Sequence, residues 1–202
     1  AINYKEFFSL VMNNNVWIGY TRPNEFNTPD GITKKVNGLC RWFTNLDIQK
    51  RYEKLPLYKT FNQEEYPIYD NYAAWNVDRV TDIPVDKVFE LTVDEETYKR
   101  LKDTYKDDLV LIDTNNGYHI KVNNPIIGVP ITFLDKFNPD QFEIVGQSEN
   151  LDLYNLKTRV YTSNECKVRY FELFGKPGTY DLNASGVISG IKKYGRVFVR
   201  KK

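Results

Sequence analysis

Residues 126–146 read IIGVPITFLDKFNPDQFEIVG. Pro130 has the fixed φ that suits the first turn of a helix, so a short helix through Phe133 and Leu134 is expected to follow the apolar run. Asn138-Pro139-Asp140 has the form of a cap or turn, and Phe142–Val145 then reads as a strand. Two further blocks lie upstream, RWFTNLD at 41–47 and EEYPIYDNYAAWNVDRVTDIP at 64–84, and the chain closes on IKKYGRVFVRKK at 191–202.

Outward from these blocks the pattern is mixed. Tyr4, Phe7, Phe8 and Val11 fall at helical spacing between a capping Asn3 and Asn13-Asn14-Asn15, which predicts an amphipathic helix over 3–13. Val16–Tyr20 reads as a buried strand, Thr28-Pro29-Asp30-Gly31 as a turn and Leu39–Thr44 as a second strand. Between 46 and 84, Pro56, Pro67 and Pro84 punctuate a long connection with short strand candidates at Leu55–Tyr58 and Ala74–Val77. Thr92-Val93-Asp94-Glu95 fits a capping box for a helix over 93–106, with Glu95–Lys99 and Glu96–Arg100 as charge pairs four apart. Asn115-Asn116-Gly117 between Leu109–Asp113 and Tyr118–Val122 predicts a hairpin. Residues 158–174 alternate weakly and read as one or two strands, Gly175, Pro177 and Gly178 as a loop, and Gly195–Arg200 as the last strand.

With 202 residues, 41% hydrophobic and 15% aromatic, the chain can bury a sizeable core and is not disordered overall. No apolar run approaches the roughly 20 residues that cross a bilayer, and no signal peptide opens the chain, so a soluble cytoplasmic protein is expected. Cys40 and Cys166 make no disulfide framework and no zinc spacing; buried free thiols are expected. Asp94, Glu95, Glu96, Asp107 and Asp108 diverge around a helix axis and predict no metal site. The net charge of +1 says nothing in favour of nucleic acid, but Lys192, Lys193, Arg196, Arg200, Lys201 and Lys202 concentrate basic charge in an acid-free tail.

Taken in order, the blocks at 41–47, 64–84, 126–146 and 191–202 resemble the C-terminal half of EcoRI-type adenine-specific DNA methyltransferases. The resemblance implies an α+β fold: the remnant of a methyltransferase-like α/β sheet and its connection over 1–84, an inserted helix-hairpin subdomain over 85–124, and a β-rich DNA-recognition region with short helices over 125–202. It implies S-adenosylmethionine for the complete enzyme, which would extrude an adenine and methylate its exocyclic N6. Here the sequence departs from the family's pattern. It holds neither a Gly-rich strand-to-helix turn for the cofactor nor an Asn/Asp-Pro-Pro-aromatic loop, and Asn123-Asn124-Pro125-Ile126 reads as a polar turn before a strand. No catalytic or cofactor-binding residue is therefore assigned. The chain begins at Ala1, its only methionine is Met12, and in the family such a start falls just after the catalytic half; a missing N-terminal catalytic portion is an expected partner.

Double-stranded DNA is the implied substrate. In a hairpin over 187–200, Arg196, Phe198 and Arg200 would share one strand face, Lys192 and Lys193 would sit near the turn, and the ribbon would lie along phosphates. Lys34 and Lys35, on a loop after Asp30-Gly31, and Lys50, Arg51 and Lys54, after TNLD, are further candidates. Trp42 and Phe43 read as core aromatics, Asn45 as a turn former, and Asp135, Lys136 and Asn138 either cap the next strand or face DNA. His119 reads as structural or solvent-facing; a hydrolase built on it lacks a nucleophile elbow. A self-standing, non-catalytic DNA- or protein-binding module derived from such an enzyme is the alternative.

Overall fold

The computed structural model describes residues 5–19, 23–36, 41–177 and 185–202. Two compact units divide the chain, residues 1–55 with 134–141, and residues 56–133 with 142–202. The fold is mixed α+β, with small sheets.

In the first unit, helix α1 (Lys5–Met12) buries Phe8 and Val11, and its Phe7 ring meets Phe43 edge-on at 4.7 Å. Asn14, at φ 58°, takes the left-handed conformation that ends the helix. Strand β1 (Trp17–Ile18) pairs antiparallel with β4 (Phe43–Thr44), and β2 (Glu25–Asn27) with β3 (Thr33–Lys35). The turn between β2 and β3 is the expected one. Thr28 Oγ1 donates to the Ile32 carbonyl and Gly31 adopts φ 82°. Asn3, Tyr4, Tyr20, Leu39 and Cys40 lie outside the described residues. In the returning segment, Gln141 acts as a strand edge would: its side chain accepts from the Leu55 N–H and donates to the Leu55 carbonyl.

Several expectations fail in this unit and at its boundary. Leu55–Tyr58 forms no strand. The strand over 16–20 is shorter and only half-buried. Trp42 is 58% exposed instead of core, because alternation at the start of β4 gives the inner face to Phe43. Asn138, by contrast, takes the capping role, the first of the two expected for it: it is buried, its amide donates to the Tyr52 carbonyl and its Oδ1 accepts from the Asp140 N–H. Asp135 pairs with Arg41 at 3.5 Å.

The second unit contains β5 (Trp75–Asn76), β6 (Val88–Val93), α2 (Glu95–Tyr105), β7 (Leu109–Asp113), β8 (Tyr118–Asn123), β9 (Ile127–Pro130), β10 (Phe142–Gln147), α3 (Ser163–Phe174), β11 (Val187–Ile188), β12 (Ile191–Lys192) and β13 (Arg196–Lys201). One sheet runs β10-β13-β9-β5, antiparallel except for the parallel β5–β9 pair. The other runs β6-β8-β7 and is antiparallel throughout. The 126–146 block thus supplies β9 and β10 on either side of the C-terminal strand β13, with the short 3-10 helix Ile131–Asp135 following Pro130 as expected.

Aromatic residues from the 64–84 block fill the core. Residues 71–77, NYAAWNV, are all buried. The Phe198 ring lies 5.9 Å from Tyr69 and 4.7 Å from Tyr72, and Trp75 meets Phe89 edge-on at 5.1 Å. Two glycines make room for Tyr69: a Cβ on Gly128 would fall 2.5 Å from its hydroxyl, and one on Gly186 would fall 2.4 Å from its ring. Tyr105 is buried, donates to the Ala73 carbonyl and accepts from the Ile126 N–H.

Helix α2 forms as predicted, but its cap is Asp94, whose carboxylate accepts from the Thr97 N–H, and not Thr92, which belongs to β6. Glu95 and Lys99 pair at 2.7 Å, whereas Arg100 turns away from Glu96 to donate to the carbonyls of Tyr69 and Asp70. Strand β6 was not expected. The strands expected over 158–174 are replaced by α3. Thr162 and Glu165 form a reciprocal capping box and Gly175 closes the helix at φ 65°, so local capping outweighs a weak alternation of apolar residues.

Candidate nucleic-acid interface

The block YDNYAAWNVD at 69–78 and the C-terminal tail are hydrogen-bonded to each other through Asp70, Asn71, Asn76 and Asp78. The Asp70 carboxylate accepts from the N–H groups of Ser189 and Gly190 at 3.0 and 2.8 Å. Asn71 donates to the Ser185 carbonyl and accepts from the Val187 N–H, at 2.8 and 3.0 Å. These bonds grip the turn between β11 and β12, where Ser189 and Gly190 both take positive φ, 50° and 75°. Two consecutive positive φ values are the signature of the tight hairpin turn whose twist matches its strands.

Six residues on, Asn76 and Asp78 hold the next piece of the tail. Arg196 is 5% exposed; its guanidinium donates to Asn76 Oδ1 at 3.3 Å and to Asp78 Oδ1 at 3.0 Å. Lys193 reaches Asp78 Oδ2 at 3.2 Å, and the Tyr69 hydroxyl donates to Asn76 Oδ1 at 2.7 Å. Partial burial pushes the Asp78 carboxyl up, but hydrogen bonds from Asn76 and Lys193 and the charges of Lys193 and Arg196 outweigh it and hold the group below its ordinary range. Burial pushes the Tyr69 hydroxyl well above the ordinary phenol value, so it stays a neutral donor.

The tail is therefore not an exposed ribbon over 187–200. It splits into a tight hairpin, β11–β12, and a central sheet strand, β13. Lys201 is buried on β13 and its ammonium donates to the carbonyls of Pro84 and Asp86. Desolvation lowers it to about 8. The reason is topological: a central strand has neighbours on both edges, and here both faces are packed as well. Lys192, Lys193 and Arg200 are half-buried and Lys202 is exposed.

Lys34 and Lys35 are exposed, but on strand β3 and not on a loop. Lys50 and Arg51 come together on the 3-10 turn Gln49–Tyr52. Lys50 donates to the Gly19 carbonyl at 3.2 Å, and Arg51 donates to the Asn14 carbonyl while its guanidinium lies 3.7 Å over the Trp17 ring. Sequence reading missed Arg159 and Arg169. They line a groove of about 460 Å³ with Asp70, Tyr161 and the exposed side of α3, and Arg169 donates to the Ser189 carbonyl at the turn. Once 158–174 was read as strands, no signal placed them there.

His119 lies on β8 between Asp113 and Glu90, with its ring nitrogens 3.1 and 2.9 Å from their carboxylates. Among the described residues no group of three or more His, Cys, Asp or Glu could hold a metal ion, and no helix is long and apolar enough to cross a membrane. Cys166 is buried.

The profile of the family described as adenine-specific methyltransferase EcoRI matches residues 1–125 and 95–202. The chain belongs to that family. It is similar to the type II methyltransferase M.EcoRI of Escherichia coli, with 31% identity over 171 aligned positions that cover 75% of this chain and 41% of the relative. It is similar also to M.MpnI of Mycoplasma pneumoniae, at 27% over 184 positions, 80% of this chain and 46% of the relative. The match to M.MgeORF184P of Mycoplasma genitalium is 25% over 227 positions, 100% of this chain and 54% of the relative. The chain thus spans about half the length of the curated relatives it matches. No solved structure matches it significantly.

Proposed function

We propose that this chain is the DNA-binding, target-recognition part of an adenine-N6 DNA methyltransferase of restriction-modification type, acting in the cytoplasm and inactive by itself. The carrying observation is the grip of residues 69–78 on the tail: a pair of family-like blocks far apart in sequence forms one rigid platform for a basic hairpin. Family membership supplies the substrate class, duplex DNA. The remnant reading of residues 1–84 and the insertion of 85–124 belong to the same proposal. S-adenosylmethionine and the extruded adenine are assigned to a catalytic portion outside these residues, so no chemical step is routed through this chain.

Lys34, Lys35, Lys50, Lys192, Arg200 and Lys202 are the proposed phosphate contacts, while Lys193, also named from the sequence, is committed to Asp78. Arg196, Lys201 and Arg51, though named on the same sequence grounds, hold the framework that presents them. The test is fluorescence anisotropy of a labelled mixed-sequence duplex across a salt series. Binding should weaken steeply with salt, and each neutralised phosphate contact should lower the logarithmic slope by about 1. Absence of binding at low salt would overturn the reading and favour a protein-binding module derived from such an enzyme.

A further inference from the structure

Tyr194 is 88% exposed, more than any other large hydrophobic side chain among the described residues. A phenol ring that could bury on the order of 150–250 Å² is left in water, although its neighbours on both sides are fixed. Lys193 is held through its N–H to the Gly186 carbonyl and through its ammonium to Asp78. Arg196 is held by Asn76 and Asp78. One turn back, Asp70 and Asn71 clamp the hairpin. Gly195, which follows Tyr194, has open space where a Cβ would stand.

We infer that Tyr194 is a stacking residue: it lays its ring on a nucleobase face exposed at an opened or mismatched step of DNA, while Lys192 lies against the phosphates beside it. This rests on the DNA-recognition reading above. The chemistry is that of single-strand binders, in which aromatic rings take bases and interleaved cations follow the backbone. Pre-organisation favours it, because a ring presented on a clamped hairpin loses little freedom on binding. Intact duplex hides base faces, and opening a step costs a few kcal/mol. Pre-opened DNA is therefore the preferred ligand.

The experiment compares the 202-residue chain and its variants on labelled duplex of mixed sequence and on the same duplex with a central mismatched bubble. Wild type should bind the bubble more tightly. Tyr194→Ala should weaken bubble binding about 5- to 100-fold with an unchanged salt slope, and Tyr194→Phe should restore it. Tyr194→Leu should stay weak, which separates stacking from simple apolar burial. An exposed side chain is dispensable for folding, and unchanged circular dichroism and thermal midpoints check that each variant is folded. Equal binding by wild type and Tyr194→Ala, with Lys192→Ala still reducing the salt slope, overturns the stacking role and leaves DNA recognition standing. No binding by wild type to either DNA at low salt overturns both.

Discussion

Strands β8 and β13 occupy the same place in their sheets and are treated in opposite ways. Each runs for 6 residues and each is hydrogen-bonded on both edges. On β8, Ile120 and Val122 are buried while His119 and Lys121 stand toward solvent, the alternation of a sheet with one wet face. On β13, only Arg200 escapes burial, and Arg196 and Lys201 go inside with the valines. A cation within a strand does not by itself mark an exposed face. What decides is whether the second face has a cover, and residues 69–78 supply that cover for β13.

The largest expected effect breaks or upholds this contrast directly. Phe198 sits on β13 at 0% exposure between Tyr69 and Tyr72, and Phe198→Ala should cost about 3–5 kcal/mol in denaturant unfolding. Lys121→Ala on β8, at a side chain 48% exposed, should stay within about 0.5 kcal/mol. Similar costs at the two positions would mean that the central strands are packed alike.

Next comes Arg196. Arg196→Met keeps the length of the side chain and removes its bonds to Asn76 and Asp78. About 1.5–3 kcal/mol should be lost, the range for hydrogen bonds to a charged group. The loss is limited because Lys193 continues to hold Asp78 and Tyr69 continues to hold Asn76. DNA binding of the folded variant should keep its salt slope. A slope lowered by about 1 with stability intact would return Arg196 to the phosphate-contacting set.

Lys201 sharpens the contrast through pH. Its folded value, about 8, lies below the ordinary lysine value, so the unfolded chain binds more protons between the two. Stability should rise with pH from about 8 toward 10. Above that, the buried hydroxyls of Tyr69, Tyr72 and Tyr105, all pushed upward by desolvation, reverse the trend as the unfolded phenols ionise. Lys201→Met should abolish the rise and leave the fall. A wild-type denaturation midpoint flat from pH 8 to 10 would mean that the ammonium is well solvated.

Much of this arrangement could be read from the sequence, and the failures have physical causes. Pro130, Asn138 and the Asn-Gly turn were legible because their dihedral preferences are local. Helix α2 was legible from spacing and capping, although Asp94 is the residue that caps it. The burial of Arg196 and Lys201 was not, because their partners Asn76, Asp78, Pro84 and Asp86 lie more than 100 residues away. The α+β class followed from the resemblance. Nothing in residues 158–174 advertised a helix except Thr162 and Glu165 three residues apart, a pair that the alternation of apolar residues concealed.

The smallest effect tests the other side of the contrast, the wet face of β8. The hydrogen bond to Asp113 is the main influence raising His119 above its ordinary value, against desolvation and with help from Glu90. Glu90 is lowered chiefly by its bond with Lys121, and Asp113 chiefly by the Asn115 N–H, with His119 assisting both. A raised histidine contributes stability that is complete below the unfolded value, about 6.5, and fades as pH rises through the folded one. Lowered carboxylates contribute stability that is present above their unfolded values, about 4, and fades as pH falls through the folded ones. Both contributions are full between about 4.5 and 6.5, so the denaturation midpoint of wild type should be higher at pH 6 than at pH 8, and His119→Gln should remove the difference. Because these groups meet solvent, added salt should shrink the difference as well. A difference that survives high salt would place His119 in a drier setting than the face of β8 provides, and would make the central strands more alike than Phe198 and Lys121 suggest.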